Sequence, residues 1–413
     1  MSQHDGYCFP GKQPDARLLL ACLRPTVKSG DGAELAQLMG ESSFNWKRLL
    51  LLADVHGLLG LLHKRLEPCG RELVPQEVRE HLREHYEENR RRQMALTQTL
   101  IELLRLLDWR EIPVIVFKGP LMARALYPDP AVRDIADLDL LVPPVEVLKV
   151  KAMLLEAGYQ AEKSFTARQE RDYLRFNSQY HFTHPSSGIP VEIHWRFFPS
   201  HCQDRLAAEV WARAQPIYLS GARALRLAPE DQFIYLCHHG RNHTWAILKF
   251  LGDLARIVAS DQDLDWLEVV GRAKRLGMRD GVDEALYLLS AWLGMETPPP
   301  LRITATARRR LDARAALIRG RIFRERWGLP GYGEWLGYLE NQAPNPFRAS
   351  SSGDRCSSPG LAARYLGVVA RKLIEDRNYL MPSIPPFLYP LRSVVWWTRH
   401  LCFSAIEALM GRG

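Results

Sequence analysis

The chain has 413 residues, of which 46% are hydrophobic and 25% are charged, as in an ordinary globular protein with room for two or three domains. Its formal net charge of +8 suits an anionic partner, such as a nucleotide, a nucleic acid or a membrane surface, but selects none of them. The seven scattered cysteines include no CxxC pair, which argues against a disulfide framework or a zinc ribbon and for a reducing compartment.

The two ends of the sequence bear on location. The N-terminus has no basic region followed by an apolar run, and the chain has no stretch of about 18 uncharged apolar residues. We therefore expect a cytoplasmic protein without a transmembrane helix. The C-terminal segment 385–401 is apolar with interleaved Arg and His, and is expected to be a docked helix, with a position on a membrane surface as the alternative.

The first regular pattern is helical. Residues 16–110 carry apolar stripes at helical spacing. The periodicity changes at residue 112, where the β-branched run 112–117 predicts a buried strand. The turn Lys118-Gly119-Pro120 ends that strand, and a short helix is expected over 121–126.

A second strand is predicted over 138–142, followed by a helix that ends near residue 157. The alternating segments 179–184 and 189–195 predict a hairpin. Helices return from about residue 229.

This order of elements predicts an α+β fold, with a small mixed β-sheet covered by helices. We place an N-terminal helical region at 1–110, a sheet-containing core at 111–225 and a C-terminal helical region at 226–413.

Three carboxylates are expected to converge on this sheet. Asp137 and Asp139 are two residues apart on a strand and so share a face, and Glu192 follows on another predicted strand. Carboxylates meeting from two strands make a poor core and a good magnesium site. The plainer alternative is that the aspartates cap a turn and Glu192 faces solvent. A second D-x-D pattern, at 261–265, lacks a preceding strand and predicts only a helix N-cap.

Cationic residues near these carboxylates suit a phosphate ligand. Lys118 can act as a point charge on phosphate, and Arg133 can reach two oxygens in fork geometry. Gly119 leaves the end of the strand without a side chain in the way, whereas Pro120 contributes no N–H.

Several histidines remain open to more than one interpretation. His194 should share the face of Glu192, where it could contact substrate or a metal-bound ligand. His239 and His243 form either a polar wall facing the substrate or plain packing, and the sequence offers no third ligand for zinc. Asp253 lies in an apolar run and is expected to be buried and paired, with Arg241 or His243 as candidates.

These residues, in this order, resemble a bacterial family of uncharacterised nucleotidyltransferases within the DNA polymerase β superfamily. The resemblance spans about 110 to 400, and is most specific over 114–195. The motifs that carry it are Lys118-Gly119, Tyr127–Pro130, Arg133, Asp137–Val142, Val191–Trp195, His239, His243–Trp245, Leu251–Leu254 and Pro390–Arg392. The chain departs from the superfamily at Pro120, where Ser or Gly is usual, and at Glu192, where Asp is common.

The resemblance implies a transferase that moves an NMP group from an NTP, such as ATP, to an acceptor hydroxyl or phosphate and releases pyrophosphate, with Mg²⁺ or Mn²⁺ as cofactor. The acceptor is expected to be a small molecule, a peptide or a protein rather than RNA. The implied catalytic and metal residues are Asp137, Asp139 and Glu192. The implied nucleotide-binding residues are Lys118, Gly119, Arg133, His194, His239 and His243. Two alternatives stay open: a non-catalytic nucleotide-binding or regulatory protein that keeps the fold, and a nucleic-acid-modifying transferase.

Overall fold

The computed structural model describes residues 13–25, 31–69, 72–184, 186–196, 203–260, 264–298 and 305–323. In these ranges it combines helices with a seven-stranded mixed sheet, which confirms the predicted α+β class. The predicted C-terminal segment 385–401 lies outside the described residues. Among the helices described, none is both long enough and apolar enough to cross a bilayer.

The helices lie mainly before and after the sheet in sequence. In chain order they are α1 (Pro14–Leu23), α2 (Asp31–Met39), α3 (Trp46–Val55), α4 (Leu59–Leu66), α5 (Gln76–Trp109), α6 (Gly119–Leu126), α7 (Val147–Glu156), α8 (Ala167–Phe176), α9 (Gln203–Arg213), α10 (Pro229–Asn242), α11 (Lys249–Ala259), α12 (Trp266–Arg275), α13 (Arg279–Leu293) and α14 (Ala305–Ile322). Short 3₁₀ helices cover Glu67–Cys69, Pro130–Val132 and Pro144–Glu146.

The strands are β1 (Ile115–Val116), β2 (Leu138–Leu141), β3 (Gln160–Ala161), β4 (Gln179–Thr183), β5 (Pro190–His194), β6 (Gln215–Leu219) and β7 (Ala222–Arg226). Their order across the sheet is β3-β4-β5-β2-β1-β7-β6. β2 is parallel to β5 and antiparallel to β1, and β1 is parallel to β7. The predicted hairpin is the antiparallel pair β4–β5.

The hairpin β6–β7 was not predicted from the sequence. Pro216 argues against a central strand, and the structure places β6 at the edge of the sheet, where a missing N–H is tolerated. Ser220 and Gly221 both have positive φ, of 48° and 83°, which suits the tight turn between the two strands. The short strand β3 and the helices α8 and α9 were also missed.

The described residues up to Glu162, together with those from Ser178 to Phe323, belong to one compact unit. Its hydrophobic core takes side chains from α1 as well as from α10, α11 and α13. The helices that precede the strands in sequence therefore share a core with the helices that follow them. The domain boundaries proposed near residues 110 and 225 stay a prediction. A second unit includes Lys163–Asn177, where α8 begins with a capping box between Thr166 and Gln169.

The connection between α10 and α11 is fixed by a buried tryptophan. The Trp245 side chain is fully buried, and its Nε1 donates to Glu284 at 3.1 Å. Its backbone N–H donates to the Gly240 carbonyl at 2.7 Å, so the chain folds back on the end of α10. A Cβ added at Gly240 would overlap the indole ring.

We therefore expect Gly240→Ala to lower the free energy of unfolding by about 1–3 kcal/mol, because a buried ring would have to move. The control is Gly271→Ala in α12, where a Cβ would meet only the end of the flexible Arg275 side chain, at 3.5 Å. That change should instead stabilise the helix by about 0.5–1 kcal/mol. Guanidinium denaturation measures both, and a Gly240→Ala protein as stable as the parent would contradict the packing described.

Candidate active site

The carboxylates meet because β2 and β5 are neighbouring parallel strands. Asp139 in β2 pairs in register with Glu192 in β5. Asp137 directly precedes β2, and the two-residue period of a strand places it on the same face as Asp139. The sheet thus carries three carboxylates, which the sequence predicted to come from two strands.

Asp139 is the most enclosed member of this group, with 2% of its surface exposed. Its Oδ1 lies 3.2 Å from Lys118 Nζ and 3.0 Å from His194 Nε2. Burial alone would raise the pKa of Asp139, but the Lys118 ammonium and the His194 hydrogen bond hold it well below its usual range. Asp139 is therefore ionised at neutral pH.

His194 joins the two strands electrostatically. Its Nε2 also lies 3.2 Å from Glu192 Oε2, so one ring nitrogen faces two carboxylates. Burial lowers the pKa of His194, yet the hydrogen bonds to Asp139 and Glu192 outweigh burial and raise it overall. His194 can thus be a cation that balances part of the negative charge.

Glu192 is held by two further side chains from β4. Gln179 Nε2 donates to its Oε2 at 2.9 Å, and His181 Nδ1 lies 3.1 Å from its Oε1. Burial raises the pKa of Glu192, but the His181 and His194 hydrogen bonds bring it down to about 2. Both Glu192 oxygens are therefore fixed in position.

Asp137 has a different environment from its neighbours. Burial, followed by repulsion from Asp139 and Glu192, raises the pKa of Asp137 to about 6. Within the described ranges, no side chain donates a hydrogen bond to its carboxylate. A cation bound at this carboxylate would relieve the repulsion.

The donor atoms suit a divalent metal ion. One oxygen or nitrogen each from Asp139, Glu192 and His194 lie within 4.8 Å of one another. Carboxylate oxygens fit Mg²⁺ or Mn²⁺, and the His194 imidazole, once its Nε2 has lost its proton, offers a nitrogen ligand that transition metals take more readily. The sequence predicted Asp137 as a ligand and His194 as a substrate contact, whereas the structure brings His194 into the ligand group. The metal role of Asp137 stays a prediction.

Lys118 and Gly119, which the sequence predicted to bind phosphate, lie at the start of α6. Gly119 has a φ of 70°, a conformation that favours glycine, and is the first residue of α6. Burial would lower the pKa of Lys118, but the Asp139 carboxylate raises it overall. The lysine is therefore charged, and its charge is shared with Asp139. Nucleotide binding by these residues stays a prediction.

Arg133 lies in a buried ion pair. Its Nε and Nη2 donate to the two oxygens of Asp253, each at 2.9 Å, and Tyr127 Oη donates to the same carboxylate at 2.8 Å. The candidate partners of Asp253 named from the sequence were wrong. Arg241 instead pairs with Asp280, because both face the outside of α10 and α13. The contact of Arg133 with phosphate stays a prediction, and its Nε and Nη2 are both hydrogen-bonded to Asp253.

A row of rings leads from the carboxylates towards solvent. We call it the ring row, and it consists of Tyr235, His239, His243 and Phe250. The Tyr235 and His239 rings are stacked with centroids 5.7 Å apart, and His239 lies 4.5 Å from His243 and 4.8 Å from Phe250. Burial, followed by the nearby Lys118 charge, lowers the pKa of His239 to about 2 and also lowers that of His243. Both rings are neutral, as a stacking surface requires.

Three residues of this site were missed from the sequence: Gln179, His181 and Tyr235. The first two could have been found, because they alternate on β4 and the hairpin pairs His181 with Glu192. Tyr235 is four residues before His239 on one helix, which places both on the same face.

The Arg133–Asp253 pair should contribute strongly to stability. We expect Asp253→Asn to lower the free energy of unfolding by about 3–5 kcal/mol, because it leaves a buried guanidinium without its counter-charge. Asp280→Asn is the matched control, since the Asp280 side chain is 49% exposed and should matter by at most about 1 kcal/mol. Equal effects of the two changes in urea denaturation would show that the buried pair has no special role.

Comparisons with known proteins agree with this geometry. A family model described as an uncharacterised nucleotidyltransferase matches residues 42–294, more than half of the chain. No curated protein matches significantly. Two solved structures of the antibiotic-resistance factor ANT(2'')-Ia are similar: a crystal structure in complex with adenylyl-2''-tobramycin, and a solution structure. The first has 12% identity and a TM-score of 0.32, covering 44% of this chain and 96% of that one. The second has 10% identity and a TM-score of 0.26, covering 60% and 98%. The family match over more than half of the sequence shows that this chain belongs to the uncharacterised nucleotidyltransferase family.

Proposed function

We propose that this protein is a divalent-metal-dependent nucleotidyltransferase that transfers an NMP group from an NTP to an acceptor and releases pyrophosphate. The observation that carries the proposal is the pairing of Asp139 with Glu192 on parallel strands, with His194 between their carboxylates and Asp137 beside them. Burying three neighbouring carboxylates costs free energy. The fold does not need these charges for its stability, so their presence indicates a function.

The proposed step is an in-line displacement at the α-phosphorus. A bond forms between the acceptor oxygen and the α-phosphorus, the bond from that phosphorus to the bridging oxygen of the β-phosphate breaks, and pyrophosphate leaves with that oxygen. The acceptor proton passes to a base. Mg²⁺ or Mn²⁺ would be held by Asp139 and Glu192 with Asp137 or His194, and would neutralise phosphate charge and acidify the acceptor hydroxyl.

The contacts support different proposed roles for Glu192 and Asp137. Glu192 is oriented on both oxygens by His181, Gln179 and His194, which favours a role as a fixed metal ligand over that of the base. Asp137 faces fewer partners and is the candidate to take the acceptor proton. Lys118 would keep Asp139 oriented and add positive charge at the phosphates.

The ring row would provide the surface for the nucleobase or for an apolar part of the acceptor. His239 and His243 are neutral and lie beside Phe250, so they can stack on a planar ring. The acceptor is proposed to be a small molecule, a peptide or a protein.

One observation favours a non-catalytic nucleotide-binding protein as the second candidate. Lys118 and Arg133, the two cations predicted for phosphate, are each in an ion pair, and Pro120 offers no N–H to a phosphate. Calorimetry with the four NTPs and Mg²⁺ separates the candidates. NTP binding without pyrophosphate release, with every acceptor offered, would support this second function.

The test of the first candidate changes the carboxylates to amides of the same shape. We expect Asp137→Asn with Asp139→Asn to reduce pyrophosphate release by at least about 100-fold, because the proposed metal ligand Asp139 and the proposed base Asp137 are both lost. Mn²⁺ binding measured by calorimetry should weaken in parallel. Because Asp139→Asn also removes the counter-charge of Lys118, the double variant should melt at a lower temperature, and its activity is compared with that of the parent below that temperature.

Asp265→Asn is the matched control. It belongs to the other D-x-D pattern, where Asp265 caps α12 by accepting from the Leu267 and Glu268 backbone N–H groups, as the sequence predicted. Asn caps equally well, so activity should persist. A fully active double variant of Asp137 and Asp139 would overturn the proposed function.

A further inference from the structure

Lys249 is a cation near the candidate site with an unusual set of contacts. It is the first residue of α11 and is half-buried, and its ammonium donates to the backbone carbonyl of Asp134 at 3.2 Å. Among the residues described, no carboxylate forms an ion pair with it. By contrast, Lys118 pairs with Asp139 and the exposed Lys149 pairs with Glu146.

The hydrogen bond to the Asp134 carbonyl places the Lys249 ammonium against the segment that leads into β2, three residues before Asp137. Asp134, Asp253 and Asp137 attract its ammonium, and Arg133 repels it. Asp253 is already neutralised by Arg133 in the bidentate pair. Burial, followed by the Arg133 charge, lowers the pKa of Lys249. The nearby carboxylates therefore do not fully balance the positive charge of its ammonium.

The turn that precedes Lys249 contains two residues with an unfavourable backbone conformation. Thr244 and Trp245 both have positive φ, of 51° and 55°, which is rare for residues other than glycine. The Trp245 ring, bound to Glu284, holds this turn in place. The turn sets the start of α11, so that Phe250 joins the ring row while its neighbour Lys249 projects towards Asp134.

A second turn encloses the same side chain. Gly57, between α3 and α4, has a φ of 63°, and a Cβ there would lie 3.1 Å from Lys249 Cδ. The backbone of the N-terminal helices thus packs closely on the lysine stem and leaves little room for the side chain to move away. A half-buried ammonium, held in place from two sides and without a carboxylate partner, is suited to an anionic ligand.

We propose that Lys249 binds the polyphosphate of the NTP beside Asp137, the role that the sequence suggested for Arg133. This inference rests on the proposed function, because it assumes that an NTP occupies the carboxylate site. Arg133 then acts as a structural residue through Asp253, and the side of the site nearest α11 holds the phosphates while the adjoining ring row takes the ring of the nucleoside.

The experiment measures binding of inorganic tripolyphosphate and of ATP, each with Mg²⁺, by calorimetry. The variants are Lys249→Met, which keeps the length of the stem without its charge, Lys249→Arg, which keeps the charge, and the surface control Lys149→Met. Lys249→Met should bind tripolyphosphate and ATP about 10- to 100-fold more weakly, as expected for one lost charge-assisted contact. Lys249→Arg should retain most of the affinity, and Lys149→Met all of it.

Binding of adenosine without phosphates separates a phosphate contact from a disturbed fold. Adenosine affinity and melting temperature should be unchanged in Lys249→Met, whereas general damage to the site would lower them together with ATP affinity. If the parent binds ATP and Lys249→Met binds it equally well, this inference is wrong and the proposed function stands. If the parent binds neither tripolyphosphate nor any NTP, both fall.

Discussion

The structure of the site depends on the ionised state of Asp139 in an almost closed environment. A carboxylate with 2% of its surface exposed is tolerable only if positive charge reaches it. Lys118 provides that charge from the end of β1, and His194 provides a hydrogen bond from β5. Since these partners come from the two strands that flank β2, the charge of Asp139 ties three central strands to one another.

The same requirement explains the difference between the carboxylates. Asp139 and Glu192 take the available donors, with His194 shared between them and His181 and Gln179 added on Glu192. Asp137 is left with the repulsion of both. The protein has therefore nearly balanced two of the three negative charges itself, and the third is where an outside cation gains most.

Much of this arrangement could be predicted from the sequence, because it depends on local rules. The two-residue period of a strand placed Asp137 beside Asp139, and the β-branched run before Lys118 indicated β1. The lack of a strand before the second D-x-D pattern, 261–265, indicated a helix cap there, and Asp265 provides it. The partner of Asp253 could not be predicted, because Arg133 is 120 residues away in the sequence. The two meet because α11, which contains Asp253, packs on the loop before β2, which contains Arg133. Lys249 was hidden for the same reason. The edge strand β6 was missed because Pro216 disfavours a strand everywhere except at an edge.

The place of β2 in the sheet has a consequence for how such a protein could change its specificity. β2 lies between β1 and β5, and both of these have a further neighbour, so the carboxylates cannot shift without disturbing several rows of backbone hydrogen bonds. The α10–α11 connection and the turn at Gly57 are outside the sheet, and they adjoin Lys249 at the start of α11. New acceptors or bases could therefore be accommodated by altering helix ends and turns, while the charged centre keeps its geometry.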